Sequence, residues 1–268
     1  MDADITVLIP HFNDLMGLEK AIKTISFSGT IFVLIIDDGS EFQQKPNKEW
    51  AKNWETLIGH HIKVVSLPVN RGIEEALNVG LHIIMTNYST KYIARMDCGD
   101  ENFPYRFEQQ FSFLEENTNI ALLGSAVEVW QDGQHIYNVD LPTDQRLIER
   151  KMYLNNCFIH PAIMIRTQAI ESIGLYPTSF PAAEDYAYFF KFVKRYPTAN
   201  LSDRLVKIEK TPGGISQIRR KQQLLSRIRV IIENFNWSFF ALWGLLRTLI
   251  LLSLPTTWVE NMKKTVWK

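Results

Sequence analysis

YIARMDCGDE, residues 92–101, is an apolar run that stops at Arg95-Met96 and breaks into Asp97, Asp100 and Glu101 around Gly99. A buried strand that ends in clustered carboxylates is either an acidic surface turn or a platform for something cationic. The same grammar recurs on its N-terminal side. Residues 5–9 (ITVLI) run into Pro10, His11, Phe12 and Asn13, and residues 31–36 (IFVLII) run into Asp37, Asp38, Gly39 and Ser40. Between them Leu18, Ala21, Ile22 and Ile25 fall at helical spacing, and residues 74–85 and 104–117 also read as helices. Residues 63–67, 121–130 and 160–166 read as further strands, and residues 184–194 as a helix that opens on two carboxylates. Continuous apolar strands alternating with helices predict an α/β fold, with a mostly parallel sheet covered by helices on both faces. In such sheets ligands bind beyond the carboxyl ends of the strands, so the residues that end these runs are expected along one edge.

Composition narrows the function classes. The 268 residues are 46% hydrophobic and 12% aromatic, enough for one large domain or a domain with an extension. Lys and Arg total 29, as do Asp and Glu, and this balance argues against a nucleic-acid binder, which would carry a basic excess. Cys98 and Cys157 are too few for a disulfide framework and point to a reducing compartment. ITVLIP reads as a strand rather than as the apolar centre of a leader, so a cytoplasmic setting is expected. The chain divides into a domain over 1–210, a basic linker or lid over 211–236 that begins TPGGIS, and a tail over 237–268.

In their order and spacing, IPHFN (9–13), IIDDGS (35–40), NRGIEEALNVG (70–80), YIARMDCGDE (92–101), HPAIMIR (160–166) and AAEDY (182–186) resemble the family 2 glycosyltransferases. These are inverting enzymes of the GT-A fold, and the resemblance runs from residue 5 to about residue 216. It implies a Rossmann-like sheet, a nucleotide-sugar donor, usually UDP- or dTDP-linked, and a divalent metal, Mn²⁺ or Mg²⁺. Many members build bacterial surface polysaccharide or lipopolysaccharide. By the resemblance Pro10 and Phe12 line the base pocket, Asp37 accepts from the base N–H, and Asp38 contacts the ribose or orders the turn. Arg71 falls near the base and phosphate. His160 either approaches the diphosphate or metal, or is a hydrogen-bonded core histidine.

Asp97 and Asp100 become the metal and diphosphate platform, since carboxylates hold a diphosphate only through a hard cation. The chain departs from the family here. The usual Asp-x-Asp is Asp97-Cys98-Gly99, which leaves Asp100, Glu101 or a water-mediated Asp97 to hold the ion. Inversion needs a base for the acceptor hydroxyl. Glu184-Asp185 matches the family's pair, with Asp185 as base and Glu184 positioning the acceptor or the loop. On its own that pair would read as an acidic first helical turn. Gly213, Gly214, Arg219, Arg220 and Lys221 could form a lid over the diphosphate, although a solvated basic helix suits most of these charges. No Gln-x-x-Arg-Trp motif follows the base, which favours transfer of one sugar over polymerisation.

Two other readings stand beside this one. A nucleotidyltransferase would open on a Gly-rich phosphate loop, which IPHFNDLMG is not. A non-catalytic nucleotide-sugar module tethered at the membrane is kept open by Gly99 and opposed by Asp185. In the tail, residues 239–254 are apolar apart from Arg247, Thr248 and Ser253. As a helix they would reach roughly 24 Å, short of a roughly 30 Å hydrocarbon core. Trp258, Val259, Met262, Val266 and Trp267 recur on one side, with Lys263, Lys264 and Lys268 nearby. That pattern suits a helix lying on the cytoplasmic face of the inner membrane, where a glycan or lipid-linked acceptor would be met. Packing on the domain or a dimer contact is the other reading of the same stretch.

Overall fold

The computed structural model describes residues 2–210 and 219–254. The chain opens with β1 (Asp2–His11) and α1 (Leu15–Ile22), followed by β2 (Ile31–Asp37), α2 (Lys48–Ile58) and β3 (His61–Ser66). Then α3 (Ile73–Asn87) leads into β4 (Ser89–Arg95), and a two-residue β5 (Glu101–Asn102) into α4 (Arg106–Glu116). β6 (Leu122–Gln131) and β7 (Gln134–Val139) form a hairpin, and α5 (Gln145–Lys151) follows. The short β8 (Met164–Arg166) runs into α6 (Thr167–Ile173). The remaining elements are α7 (Glu184–Arg195), β9 (Thr198–Glu209), α8 (Arg220–Glu233) and α9 (Phe239–Ser253).

Nine strands make one sheet in the order β3-β2-β1-β4-β8-β6-β9-β5, with β7 on β6. All seven residues of β2 are buried, because helices cover both faces. Its side chains alternate between them: Phe32, Leu34 and Ile36 enter the core beneath α3, and Ile31, Val33 and Ile35 enter the core beneath α1. The continuous apolar strand in the sequence is therefore a strand serving two cores at once.

β3, β2, β1 and β4 are parallel, as expected. Beyond β4 the sheet is mixed, because β8 runs antiparallel to both β4 and β6 while β9 is parallel to β6. The strand expected over 160–166 shrinks to its last three residues. His160–Ala162 is a single 3₁₀ turn closed by the Ala162 N–H on the Ile159 carbonyl, and Pro161 lacks the N–H that a ladder would need. The 134–139 and 198–209 strands and the 48–58, 145–151 and 167–173 helices were not read from the sequence.

α8 and α9 share the core of the sheet. Val230, Ile231 and Ala241 belong to the same buried cluster as Leu34 and Phe189. Ser226 Oγ donates to the Pro181 carbonyl (2.9 Å) and Tyr153 Oη to the Asn234 carbonyl (2.7 Å). Arg220, a candidate lid residue, instead donates to the carbonyls of Leu251 (2.6 Å) and Leu254 (3.3 Å) and so ties α8 to the end of α9. Residues 211–218, with the rest of the expected lid, and the 255–268 tail lie outside the described residues. Arg247, the one charge in the apolar stretch, donates to the Leu154 carbonyl at 2.7 Å and thus faces protein. Among the described residues no helix is long and apolar enough to cross a membrane.

α9 seats through Gly244, where an added Cβ would lie 2.1 Å from the Tyr153 carbonyl oxygen. Gly244→Ala is expected to push the helix off its seat and cost about 1–3 kcal/mol, the usual price of overpacking. Urea unfolding measures this, and an unchanged midpoint would show that the seat is loose.

Candidate active site

Parallel register brings the polar strand ends together. His11 lies opposite Asp37 and Asp37 opposite Ser66, while Leu8 lies opposite Arg95 on the other side of β1. β1 is the point where the strand order reverses, since β2 and β3 lie to one side and β4 to the other. A crevice at such a point is where open α/β sheets bind ligands.

At the β1–β2 end, Asp37 is fully buried. Its Oδ1 accepts from the Ser40 N–H (3.2 Å) and lies 3.1 Å from His11 Nδ1. Burial pushes this carboxyl up, but the polar groups of Ser40, His11 and Ser66 outweigh it and hold the pKa below the ordinary range. Oδ2 has no hydrogen-bond partner, with Lys45 Nζ 3.8 Å away. A buried acceptor left open costs about 1–3 kcal/mol, so this atom suits an N–H brought by a ligand. Phe12, next to His11, is 48% exposed, which leaves its ring free to lie against a base. Pro10 is half-buried, and its carbonyl accepts from Cys98 Sγ at 3.5 Å.

Asp38 has a different task. Its two carboxylate oxygens accept the backbone N–H groups of Arg71 and Gly72, each at 2.8 Å. These bonds suit the turn-ordering role, one of the two expected of it, and each oxygen keeps a second lone pair. Gly39 (φ 73°) packs backbone to backbone on Val69 and Asn70, where a Cβ would meet Val69 C at 2.4 Å. Arg71 is exposed, and its backbone is pinned at the mouth of the crevice by Asp38.

At the end of β4, Asp97 and Asp100 part company. Asp97 is 37% exposed and ion-paired with Arg95. Asp100 is buried, and its Oδ1 accepts the Glu209 N–H at 3.1 Å. Burial and the Asp97 charge push its pKa well up. Glu101 is held between Lys207 (2.8 Å) and Lys20 (3.2 Å). Among the described residues no three His, Cys, Asp or Glu side chains converge on a common cation position. Asp97 and Asp100 thus have different partners, a guanidinium for one and a backbone N–H for the other. Gly99, at φ 88°, donates its N–H to the Gly17 carbonyl, and a Cβ there would meet nothing within 4 Å.

The third wall carries the base candidates. Asp185 Oδ2 accepts from Asn156 Nδ2 at 2.9 Å, and burial raises the Asp185 pKa. Burial and the neighbouring Asp185 charge push Glu184 up to about 7. Both stand on the first turn of α7 after Ala182, whose φ of 59° is a strained value for a residue with a Cβ. His160 is half-buried, with Nε2 2.9 Å from Tyr176 Oη. Burial and the Arg95 charge hold it far below its ordinary pKa, so the imidazole is neutral. Asn78 clamps Tyr176 from both sides, donating to its carbonyl (3.0 Å) and accepting its N–H (2.8 Å).

Residues 6–174 match the sequence profile described as Glycosyl transferase family 2. The chain belongs to that family. It is 28% identical over 208 residues to the amylovoran biosynthesis glycosyltransferase AmsE of Erwinia amylovora, covering 75% of this chain and 76% of that protein. It is 25% identical over 155 residues to the O-antigen biosynthesis glycosyltransferase WbnJ of Escherichia coli, covering 56% of this chain and 58% of that one. The crystal structure of S. aureus TarS 1-349 in complex with UDP-GlcNAc superposes with a TM-score of 0.68 at 17% identity, over 92% of this chain and 71% of that chain. The mannosyltransferase PcManGT from Pyrobaculum calidifontis, in complex with GDP-Man and Mn²⁺, gives 0.62 at 14%, over 96% and 72%. These likenesses establish the GT-A fold.

In this glycosyltransferase, Arg95, Asn156 and Tyr176 contact the candidate residues Asp97, Asp185 and His160, and sequence reasoning missed them. Arg95 had a signal, a base at the apolar, buried end of its strand. Asn156 and Tyr176 reach the site through loops, with no pattern to mark them. Replacing Asp38 by Ala would strand the Arg71 and Gly72 N–H groups. A loss of about 2–4 kcal/mol is expected, with cleavage first appearing near residues 69–73. Denaturation and limited proteolysis read this, and wild-type behaviour would show the clamp to be idle.

Proposed function

We propose that this transferase moves one sugar from a UDP-linked donor to a hydroxyl of a glycan or lipid-linked acceptor, with inversion, in surface polysaccharide or lipopolysaccharide synthesis. The observation that carries the reading is the open Asp37 Oδ2 beside the half-exposed Phe12 ring. A uracil stacked on Phe12 offers its imide N–H where the buried oxygen makes no hydrogen bond and has only the Lys45 ammonium at 3.8 Å. The likeness to a structure determined with UDP-GlcNAc supports the choice of base, and the names of AmsE and WbnJ support the polymer class.

In this reading Asp185 takes the acceptor's proton as that oxygen attacks the anomeric carbon. The carbon–oxygen bond to the diphosphate breaks with its electron pair on the phosphate side, and the configuration inverts. Asn156 fixes the angle of the Asp185 carboxylate. A raised pKa makes a stronger base while leaving it ionised above that value. Glu184, titrating at about 7, changes the charge beside the base across neutral pH. Of the groups expected to hold Mn²⁺ or Mg²⁺, Asp97 is the most exposed, and no step of this reading runs through the ion.

The outer face of α9 suits a membrane surface. Phe239, Leu242, Trp243, Leu246, Leu249 and Ile250 are exposed there, while Ala241, Gly244 and Thr248 face the domain. We place this face against the inner leaflet, where a lipid-linked acceptor would present its sugar. The lysines of the tail would add attraction to anionic lipid.

Asp37→Ala is expected to weaken UDP binding about 10-fold or more by calorimetry. Asp185→Asn is expected to slow transfer about 10²–10⁴-fold while UDP still binds. Full binding in the first, or full activity in the second, removes that residue from its role. The transfer rate is expected to rise with pH through about 7 as Glu184 ionises beside the base, and a fall over that range contradicts it. Leu246→Glu is expected to reduce co-sedimentation with phosphatidylglycerol vesicles. Equal sedimentation would move the membrane contact elsewhere.

A further inference from the structure

We propose that Arg95 is the cation that receives the donor diphosphate, and that its ion pair with Asp97 is a resting contact which the substrate replaces. The proposal rests on the nucleotide-donor reading above and assigns the charge-bearing group within it.

Arg95 is 3% exposed at its side chain, against 37% for Asp97. Nε makes no hydrogen bond, and Nη1 meets Asp97 Oδ2 as an ion pair without hydrogen-bond geometry. A guanidinium carries five N–H donors in a rigid fork that matches two phosphate oxygens. Leaving such donors open inside a protein is costly, and an arriving anion repays it.

The backbone beneath Arg95 is clamped. Its N–H donates to the Ile163 carbonyl (3.1 Å), and its carbonyl accepts from Arg106 Nη2 (3.0 Å). Arg106 is itself fully buried and held by Asn102 (2.6 Å) and Gln110 (3.1 Å). The strand end that carries the cation is thus held in place, and Asp97 is the more exposed partner of the pair. Asp100 is spoken for by the Glu209 N–H, which leaves Asp97 as the nearby carboxylate in competition with the substrate.

Position agrees with this role. Arg95 closes β4, next to β1 at the strand-order reversal, and its charge acts on His160 and Asp185 across the crevice. When the bond from the sugar to the diphosphate breaks, the electron pair left on the phosphate oxygen would develop beside a permanent positive charge. A fixed donor aimed at developing charge costs no reorganisation at the moment of reaction. This also gives a reason why Gly99 can stand where the family has a metal-binding Asp.

The two ways of holding a diphosphate predict opposite signs for one substitution. If Asp97 holds a metal, Asp97→Asn weakens UDP binding. If Asp97 competes for Arg95, Asp97→Asn strengthens it in the absence of metal. The experiment is calorimetric titration of the full chain with UDP in EDTA and in Mn²⁺, for wild type, Arg95→Gln, Arg95→Lys and Asp97→Asn. Wild type is expected to bind in EDTA within about 10-fold of its Mn²⁺ affinity. Arg95→Gln is expected to lose about 30–100-fold in EDTA, and Arg95→Lys less, since an ammonium keeps the charge without the fork. Asp97→Asn should tighten EDTA binding about 5–10-fold.

UDP binding that requires Mn²⁺ and fails in Asp97→Asn overturns the proposal and leaves the donor reading standing. So does EDTA binding that Arg95→Gln does not change. Failure of UDP, dTDP and GDP to bind under either condition overturns the donor reading and this proposal with it. Should Arg95→Gln not fold, the sign of the Asp97→Asn effect decides alone.

Discussion

β1 pairs in parallel with β2 on one side and with β4 on the other, and most of the site's chemistry is arranged by that register. A slip of one residue would turn every side chain of β1 to the opposite face. It would send Leu8 into the wrong core and take His11 away from Asp37. The alternation of β2 between two apolar layers makes such a slip expensive, because both faces must be apolar at once. Hydrophobic burial, which carries no chemical information, thereby fixes the relative positions of Asp37 and Arg95 at the ends of the two strands that flank β1. The two ends of a nucleotide diphosphate would meet residues whose separation the core has already set.

Charge at this edge is managed by burial as much as by pairing. Burial keeps His160 neutral and drives Asp100 and Glu184 toward their protonated forms, while Arg95 and Arg106 remain as buried cations. Burial also pulls the Arg106 pKa down to about 9, and four hydrogen bonds to uncharged acceptors compensate its desolvation. The crevice thus holds two buried arginines and the buried Asp37 carboxylate, with the more exposed Asp97 nearer solvent.

The C-terminal helices extend the same economy. One face of α9 is small, so that the helix sits close to Tyr153, and the other face is apolar and exposed. Arg227 and Arg247 both donate to the Leu154 carbonyl, which anchors the two helices beneath the wall that carries Asp185. The exposed face and the candidate base therefore share one support, and an acceptor held at a membrane would be presented to a wall already braced against it.

Much of the fold was legible in the residues themselves. Apolar runs of five to seven residues closing on polar pairs located the parallel strands, because a strand buried on both faces has no other way to be written. The same runs put Asp37, Asp97 and Asp100 near one edge, and the motif order identified the family. Asp132-Gly133, a tight-turn pair with φ values of 51° and 75°, was a hairpin signal that went unread. What periodicity could not decide were the partners of each polar group. Whether Asp100 faces a cation or the Glu209 N–H depends on where β9 lies, more than a hundred residues away in the chain. Whether Arg247 faces lipid or the Leu154 carbonyl depends on how α9 seats on Tyr153. Strand and helix identity follow from local pattern, which the sequence carries by itself. The state of a buried charge follows from neighbours far away in the chain, and only the tertiary structure supplies those.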